Sequence, residues 1–150
     1  MTKTITISEK VFNTYATVDE ADEYFLAKFG SEWSDIGETQ KPQLLITATR
    51  FIETKNYLGE VVDEDQELKF PRLISDEETS EEILTNACCE IAESIYRNNG
   101  LNADISNISS VSMADSSISF RNNATVESEP EQMLYTFLKD YMPGNVRVLL

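Results

Sequence analysis

A chain of 150 residues, of which 41% are hydrophobic, is long enough for one domain with its own core. Twelve Lys and Arg against 27 Asp and Glu give a formal net charge of −15, and the basic residues are scattered along the chain. Because nucleic-acid affinity depends on neutralising phosphates, this charge argues against a DNA-binding surface unless the basic side chains converge on one patch.

The residue types also exclude several kinds of catalytic and metal site. Histidine is absent, and the two cysteines, Cys88 and Cys89, are adjacent. A Ser-His-Asp or Cys-His arrangement therefore has no base, and a structural zinc site lacks its ligands. The acids that begin at Asp63 do not form a calcium loop, because its sixth and twelfth positions hold Leu68 and Ile74. We expect no catalytic residue, no metal and no cofactor, and cysteines packed in the core of a reduced protein.

Four segments have helical periodicity. Residues 1–16 precede them and are predicted to be an extended arm, with too little continuous apolar sequence for a signal peptide. The first helix begins at a capping box at 17–20 and ends at Gly30, with one apolar face that includes Phe29. The second runs from Pro42 to about Leu58.

The third helix follows a second predicted capping box at 79–82 and has the cleanest apolar stripe, which ends near 98–100. The fourth opens at 128–131 and ends at 143–144. Between them the composition shifts to Ser, Asn and Ile, and alternation at 111–113 and 118–120 predicts a β-hairpin. The tail at 145–150 is strand-like.

These elements predict a mainly α fold, a bundle of about four helices with a small β-hairpin between helices three and four. The single domain spans 1–150, with the arm at 1–16, the helical core at 17–100, the hairpin and linker at 101–128, and the last helix and tail at 129–150. No apolar run approaches the roughly 20 residues of a membrane span, so we expect a cytosolic protein.

The most specific motif is Gln-x-Leu-x-Phe-Pro-Arg at 66–72. Its proline fixes the backbone after a large aromatic residue, and Arg72 is able to pair with a carboxylate of its own or of a neighbouring subunit. Alternatively, Leu68 and Phe70 fill the gap between helices two and three.

Taken together, the motifs resemble a family of small head–tail connector proteins of tailed bacteriophages, also labelled DnaT-like single-stranded DNA-binding proteins. The resemblance covers about residues 15–96, through the motifs at 15–25, 45–52, 57–59, 66–72 and 87–92. The positions that carry it include Tyr15, Thr17, Glu20, Ala21, Phe25, Ala48, Gly59, Gln66, Leu68, Phe70, Pro71 and Arg72. The chain departs from the family pattern at 57–59, where the aromatic-glycine pair is spread, and at 79–80, where a proline is often found.

The resemblance implies a structural adaptor in the virion neck, assembled in the host cytoplasm. It forms a ring under the portal protein and contacts tail or neck proteins, while DNA passes through without specific binding. Negative charge suits that channel, because the duplex should slide through it. The predicted subunit or portal interface comprises Arg72, Val111, Met113, Ile118, Phe120, Val146, Arg147, Val148, Leu149 and Leu150, through the hairpin edge and strand addition by the tail.

Two alternatives remain. Single-stranded DNA binding, which the family label suggests, needs a basic groove with aromatic platforms, for which Trp33, Tyr57, Phe70 and Tyr96 are candidates. An acidic DNA mimic that inhibits a host enzyme is the other alternative, although the acids show no regular duplex-like spacing.

Overall fold

The computed structural model describes residues 3–100 and 128–145. In these ranges it confirms the predicted mainly α fold. Within these ranges lie β1 (Lys3–Ile7), β2 (Lys10–Thr14), α1 (Val18–Leu26), α2 (Gln40–Glu53), β3 (Glu60–Val61), β4 (Arg72–Ile74), β5 (Glu77–Glu78), α3 (Glu81–Arg97) and α4 (Glu129–Leu138). Short 3-10 helices occupy Trp33–Asp35, Lys139–Tyr141 and Pro143–Asn145. The hairpin predicted at 111–120 and the tail at 146–150 lie outside the described residues. None of the described helices is long and apolar enough to cross a bilayer.

Helix α1 begins at the predicted capping box but ends early. The Thr17 hydroxyl accepts from the Glu20 amide at 3.2 Å, and the Glu20 carboxylate accepts from the Thr17 amide at 3.0 Å. The helix ends at Leu26, four residues before Gly30. The prediction that Phe29 belongs to its apolar face was therefore wrong, because Phe29 lies beyond the helix and is fully exposed.

Other helix boundaries also differ from the predictions. Helix α4 ends at Leu138 and is followed by the 3-10 helix Lys139–Tyr141, so the predicted end at 143–144 was wrong. Helix α2 ends at Glu53, where the Thr54 hydroxyl donates to the Phe51 carbonyl at 2.6 Å and the Tyr57 hydroxyl to the Ile52 carbonyl at 2.7 Å. These side chains satisfy carbonyls that a longer helix would have used. At α3 the N-cap is Ser80, and no capping box forms at 79–82.

The predicted extended arm is instead a β-hairpin. Strands β1 and β2 pair antiparallel from Lys3 with Thr14 to Ile7 with Lys10. The two turn residues, Ser8 and Glu9, both have positive φ, as a type I′ hairpin turn requires. Asn-Gly is the usual sequence for such a turn, so Ser-Glu gave little local signal.

A second small sheet forms in the connection between α2 and α3, with strand order β3-β4-β5. Its β4–β5 turn, at Ser75 and Asp76, repeats the positive φ of the first hairpin. The sheet holds the motif at 66–72 in place, since β4 begins at its last residue, Arg72.

Helix α3 lies at the centre of the core and packs against α1, α2 and α4. Its buried stripe includes Leu84, Ala87, Cys88 and Ile91. Cys88 and Cys89 are free and buried, so the prediction that they pack in the core is confirmed. Burial raises the pKa of the Cys88 thiol to about 11, which keeps it protonated at neutral pH.

Replacing Gly59 by alanine should lower the free energy of unfolding by about 2 kcal/mol. Its φ is +75°, and an added Cβ would lie 2.0 Å from the Leu73 carbonyl oxygen in β4. Gly30 is the matched control, because its φ is +80° but an added Cβ meets nothing within 4 Å. Urea denaturation of Gly59→Ala and Gly30→Ala separates the close approach from the backbone strain, and equal losses would contradict the prediction.

Candidate functional site

The motif at 66–72 folds around one buried aromatic ring. Phe70 is 4% exposed, and its ring centroid lies 4.6 Å from that of Tyr57, 5.7 Å from Tyr141 and 6.0 Å from Tyr15. Tyr15 lies at the end of the N-terminal hairpin, Tyr57 in the segment after α2, and Tyr141 in the 3-10 helix Lys139–Tyr141. Phe70 therefore joins three distant parts of the chain and is part of the core to which α2 and α3 also contribute.

Polar residues of the motif brace its backbone. The Gln66 amide nitrogen donates to the carbonyls of Leu68 at 2.8 Å and Pro71 at 3.0 Å. The Arg72 guanidinium donates to the carbonyl of Leu58 at 2.7 Å, and to those of Gly59 and Lys69. Among the described residues Arg72 makes no ion pair. Its contact with another subunit remains a prediction.

A tyrosine–glutamate pair ties this motif to α2. The Tyr15 hydroxyl donates to Glu53 and accepts from the Phe70 amide at 3.1 Å. The Glu53 carboxylate also accepts from the Lys69 amide at 3.1 Å. Burial and the charge of Glu53 raise the pKa of Tyr15 above its ordinary value, so the phenol remains a donor. The sequence offered no signal for Glu53, which is one of 27 acidic residues.

An open cleft of about 400 Å³ lies beside the motif, between the N-terminal hairpin, the β3–β4 connection and the first turn of α3. Apolar residues at the cleft include Tyr15, Val62, Leu68, Phe70 and Leu84, and acidic ones are Asp63, Asp65, Glu78 and Glu81. Lys3 also lines it, but its amine pairs with Glu20 at 2.8 Å and Glu81 at 3.3 Å. The cleft therefore favours an apolar or cationic group over a phosphate.

A buried carboxylate on α3 joins that helix to the loop between α1 and α2. The Glu93 side chain is fully buried and accepts from Lys28 at 2.5 Å, the Ser31 hydroxyl at 2.6 Å, the Glu32 amide at 2.7 Å and Arg97 at 3.0 Å. Burial alone would raise the pKa of Glu93, but these donors outweigh it, and the pKa lies below its ordinary value. The carboxylate is therefore ionised and fully hydrogen-bonded at neutral pH.

Most described cations are already bound within the chain. Those in ion pairs are Lys3, Lys28, Lys41, Lys55 and Arg97. Two more, Lys69 and Arg72, donate to backbone carbonyls. Within 3–100 and 128–145 this leaves Lys10, Arg50 and Lys139 as cations without an ion pair or a carbonyl partner, while Arg121 and Arg147 lie outside those ranges.

Of these three cations, Arg50 lies beside an aromatic ring, and Lys10 is on the strand that carries that ring. The Arg50 guanidinium lies 5.8 Å from the Phe12 ring centroid. Lys10 is two residues before Phe12 on β2, so both side chains project from the same face of the strand. We define this group, Lys10, Phe12 and Arg50, as the β2 patch. The sequence alone did not predict this group, because Arg50 lies on α2 and only the tertiary structure brings it to β2.

Two aromatic side chains predicted as stacking platforms are unavailable to bases. Trp33 is 2% exposed, stacks on Phe25 with centroids 5.1 Å apart, and donates its indole N–H to Asp22. Phe70 is buried as described, whereas Tyr57 and Tyr96 are half-buried. The predicted interface residues in the hairpin at 111–120 and the tail at 146–150 lie outside the described residues.

The fold and these surfaces define a strongly acidic, mainly α domain with an N-terminal β-hairpin and a small three-stranded sheet. The chain belongs to the family described as "Putative DnaT-like ssDNA binding protein", whose model matches residues 6–146. This confirms the part of the resemblance that concerns that family, while the head–tail connector part remains a prediction. Neither a curated protein nor a solved structure matches the chain.

Proposed function

We propose that this protein works by protein–protein assembly, as a non-enzymatic adaptor of a phage neck that joins head and tail beneath the portal. The observation that carries the proposal is the state of the described cations, most of which are held by the chain's own carboxylates and carbonyls. Because these cations are already paired and the net charge is −15, the remaining surface charge is mostly negative and repels phosphate. Such a surface suits a neck through which DNA passes.

The portal as partner rests on the motifs at 15–25 and 66–72. In the structure these motifs meet, because the Tyr15 hydroxyl bonds the Phe70 amide. Tyr15, Phe70 and their neighbours Gln66, Leu68 and Pro71 all line the cleft, which supports a common structural role for the two motifs. The adaptor would act in the virion neck after assembly in the host cytoplasm.

Single-stranded DNA binding is the second candidate, and the family description supports it directly. The β2 patch also supports it, because Arg50 lies beside the Phe12 ring and a second cation, Lys10, is on the same strand. Base stacking on such a ring contributes about 1–3 kcal/mol per base. Two cations offer few phosphate contacts, so affinity from this patch alone would be weak at physiological salt.

One binding experiment decides between the two candidates. Purified portal rings from the same genome and a single-stranded oligonucleotide are offered to the chain in parallel at about 0.15 M salt. We expect saturable binding to portal rings and no retention of DNA. DNA binding that Lys10→Glu/Arg50→Glu abolishes and Lys139→Glu leaves intact, without portal binding, would overturn the adaptor proposal and place the DNA site on the β2 patch.

A further inference from the structure

Two large apolar side chains near the end of α1 are exposed, without a partner in the described ranges. Leu26 is the last residue of the helix, and Phe29 lies three residues beyond it. Leu26 is 85% exposed and Phe29 is 102% exposed. We define this pair as the apolar knob. A phenylalanine buries about 150–250 Å² when it enters a contact, so leaving its ring in water is unfavourable. The knob therefore has the properties of an interface anchor.

The segment that carries Phe29 is attached to α3 on both sides of that residue. Lys28 precedes Phe29 and pairs with Glu90 at 2.8 Å and Glu93 at 2.5 Å. Ser31 follows and donates to Glu93 at 2.6 Å. Because both flanks are tied to α3, little conformational entropy remains to be lost when the knob binds.

The knob and the cleft lie at different ends of α3. Lys3 bridges Glu20, in the first turn of α1, and Glu81, in the first turn of α3. Lys28 contacts Glu90 and Glu93, further along the same helix. The nine residues from Glu81 to Glu90 rise about 13 Å, so a knob cannot enter the cleft of its own chain.

We propose that the knob of one copy inserts into the cleft of the next, in a head-to-tail contact; this rests on the proposed assembly function and names its partner surface. The cleft volume of about 400 Å³ accommodates a few side chains, and apolar Phe70 and Leu68 line it. Lys28 is paired with Glu90 and Glu93 but is still 30% exposed beside Phe29, so its amine would also approach the acidic rim at Asp63 and Asp65. Such heterologous contacts generate rings when the rotation closes.

Single-cysteine cross-linking tests the contact. Ala27→Cys places a thiol beside the knob, and Val62→Cys places one at the cleft, where Val62 is 40% exposed. The native cysteines are buried and protonated, so the new thiols dominate. The variants carry different mass tags and are mixed under mild oxidation, with and without portal rings. About 0.5 M salt screens the repulsion between subunits.

Random collision would give the mixed disulfide at about twice each homodisulfide. The head-to-tail contact predicts at least about a fivefold excess of the mixed species. Adding Phe29→Ala to the Ala27→Cys chain should remove that excess. Val11→Ala, at a 65% exposed position elsewhere, should leave it unchanged. A random ratio, or an excess that survives Phe29→Ala, would overturn the contact.

Portal binding by the same variants separates this inference from the proposed function. Random cross-linking with saturable portal binding would overturn the head-to-tail contact and support the adaptor. Excess cross-linking without portal binding would support the contact and overturn the adaptor at the portal.

Discussion

Replacing Phe70 by alanine is expected to lower the free energy of unfolding by about 3–5 kcal/mol, because it removes a buried ring from a packed site. Phe70 contacts three tyrosine rings, and the resulting cavity would lie where the hairpin, the segment after α2 and the C-terminal 3-10 helix meet. Urea denaturation followed by far-UV circular dichroism measures the loss.

Phe29→Ala is the matched control for this substitution. It makes the same chemical change at a fully exposed ring, so the change in unfolding free energy should stay within about 0.5 kcal/mol. If both variants lost the same stability, or if Phe70→Ala lost less than about 1 kcal/mol, the central role of the Phe70 ring would be wrong.

Glu93→Gln is expected to cost about 3 kcal/mol at pH 7, since it leaves the buried site without the charge that Lys28 and Arg97 face. Both cations are about one-third exposed and keep other carboxylates, so the loss should fall at the lower end for a broken buried pair. Glu23→Gln, at an exposed position on α1, is the control and should change stability little.

The cost of Glu93→Gln should also depend on pH. Because the folded protein holds the pKa of Glu93 below its ordinary value of 4.5, the carboxylate stabilises the fold above that pH. This contribution is lost as the pH falls through the lower pKa of the folded state. The stability difference between the wild type and Glu93→Gln should therefore be constant from about pH 6 to 8 and shrink below about pH 4.5. A difference that stays constant into acid would contradict it.

Local sequence determined most of the helical architecture. The capping box at Thr17 and Glu20, the Ser128 cap of α4 and the apolar stripe of α3 each depend on residues within a few positions of one another. Such signals act within one turn of helix, so they can be read without knowing the rest of the fold. The mainly α class followed from them.

The local sequence did not predict the two small sheets, because neither their turns nor the contacts that hold them have a strong local signal. Their turns, at Ser8-Glu9 and Ser75-Asp76, place ordinary residues at positive φ, which their local sequence does not favour. The N-terminal hairpin is held by the burial of Ile5 and by ion pairs from Lys3 to Glu20 and Glu81. Those contacts join residues far apart in the chain.

By itself, the sequence determined the helices, the acidic balance, the core position of the cysteines and the family motif at 66–72. The tertiary structure decided which phenylalanine is buried and which is exposed, and which cations are already paired. Phe29 and Phe70 are the same residue type, and Lys28 meets Glu93 only across 65 positions of chain. Burial and ion pairing are properties of side chains brought together by the fold, so periodicity along the chain does not specify them.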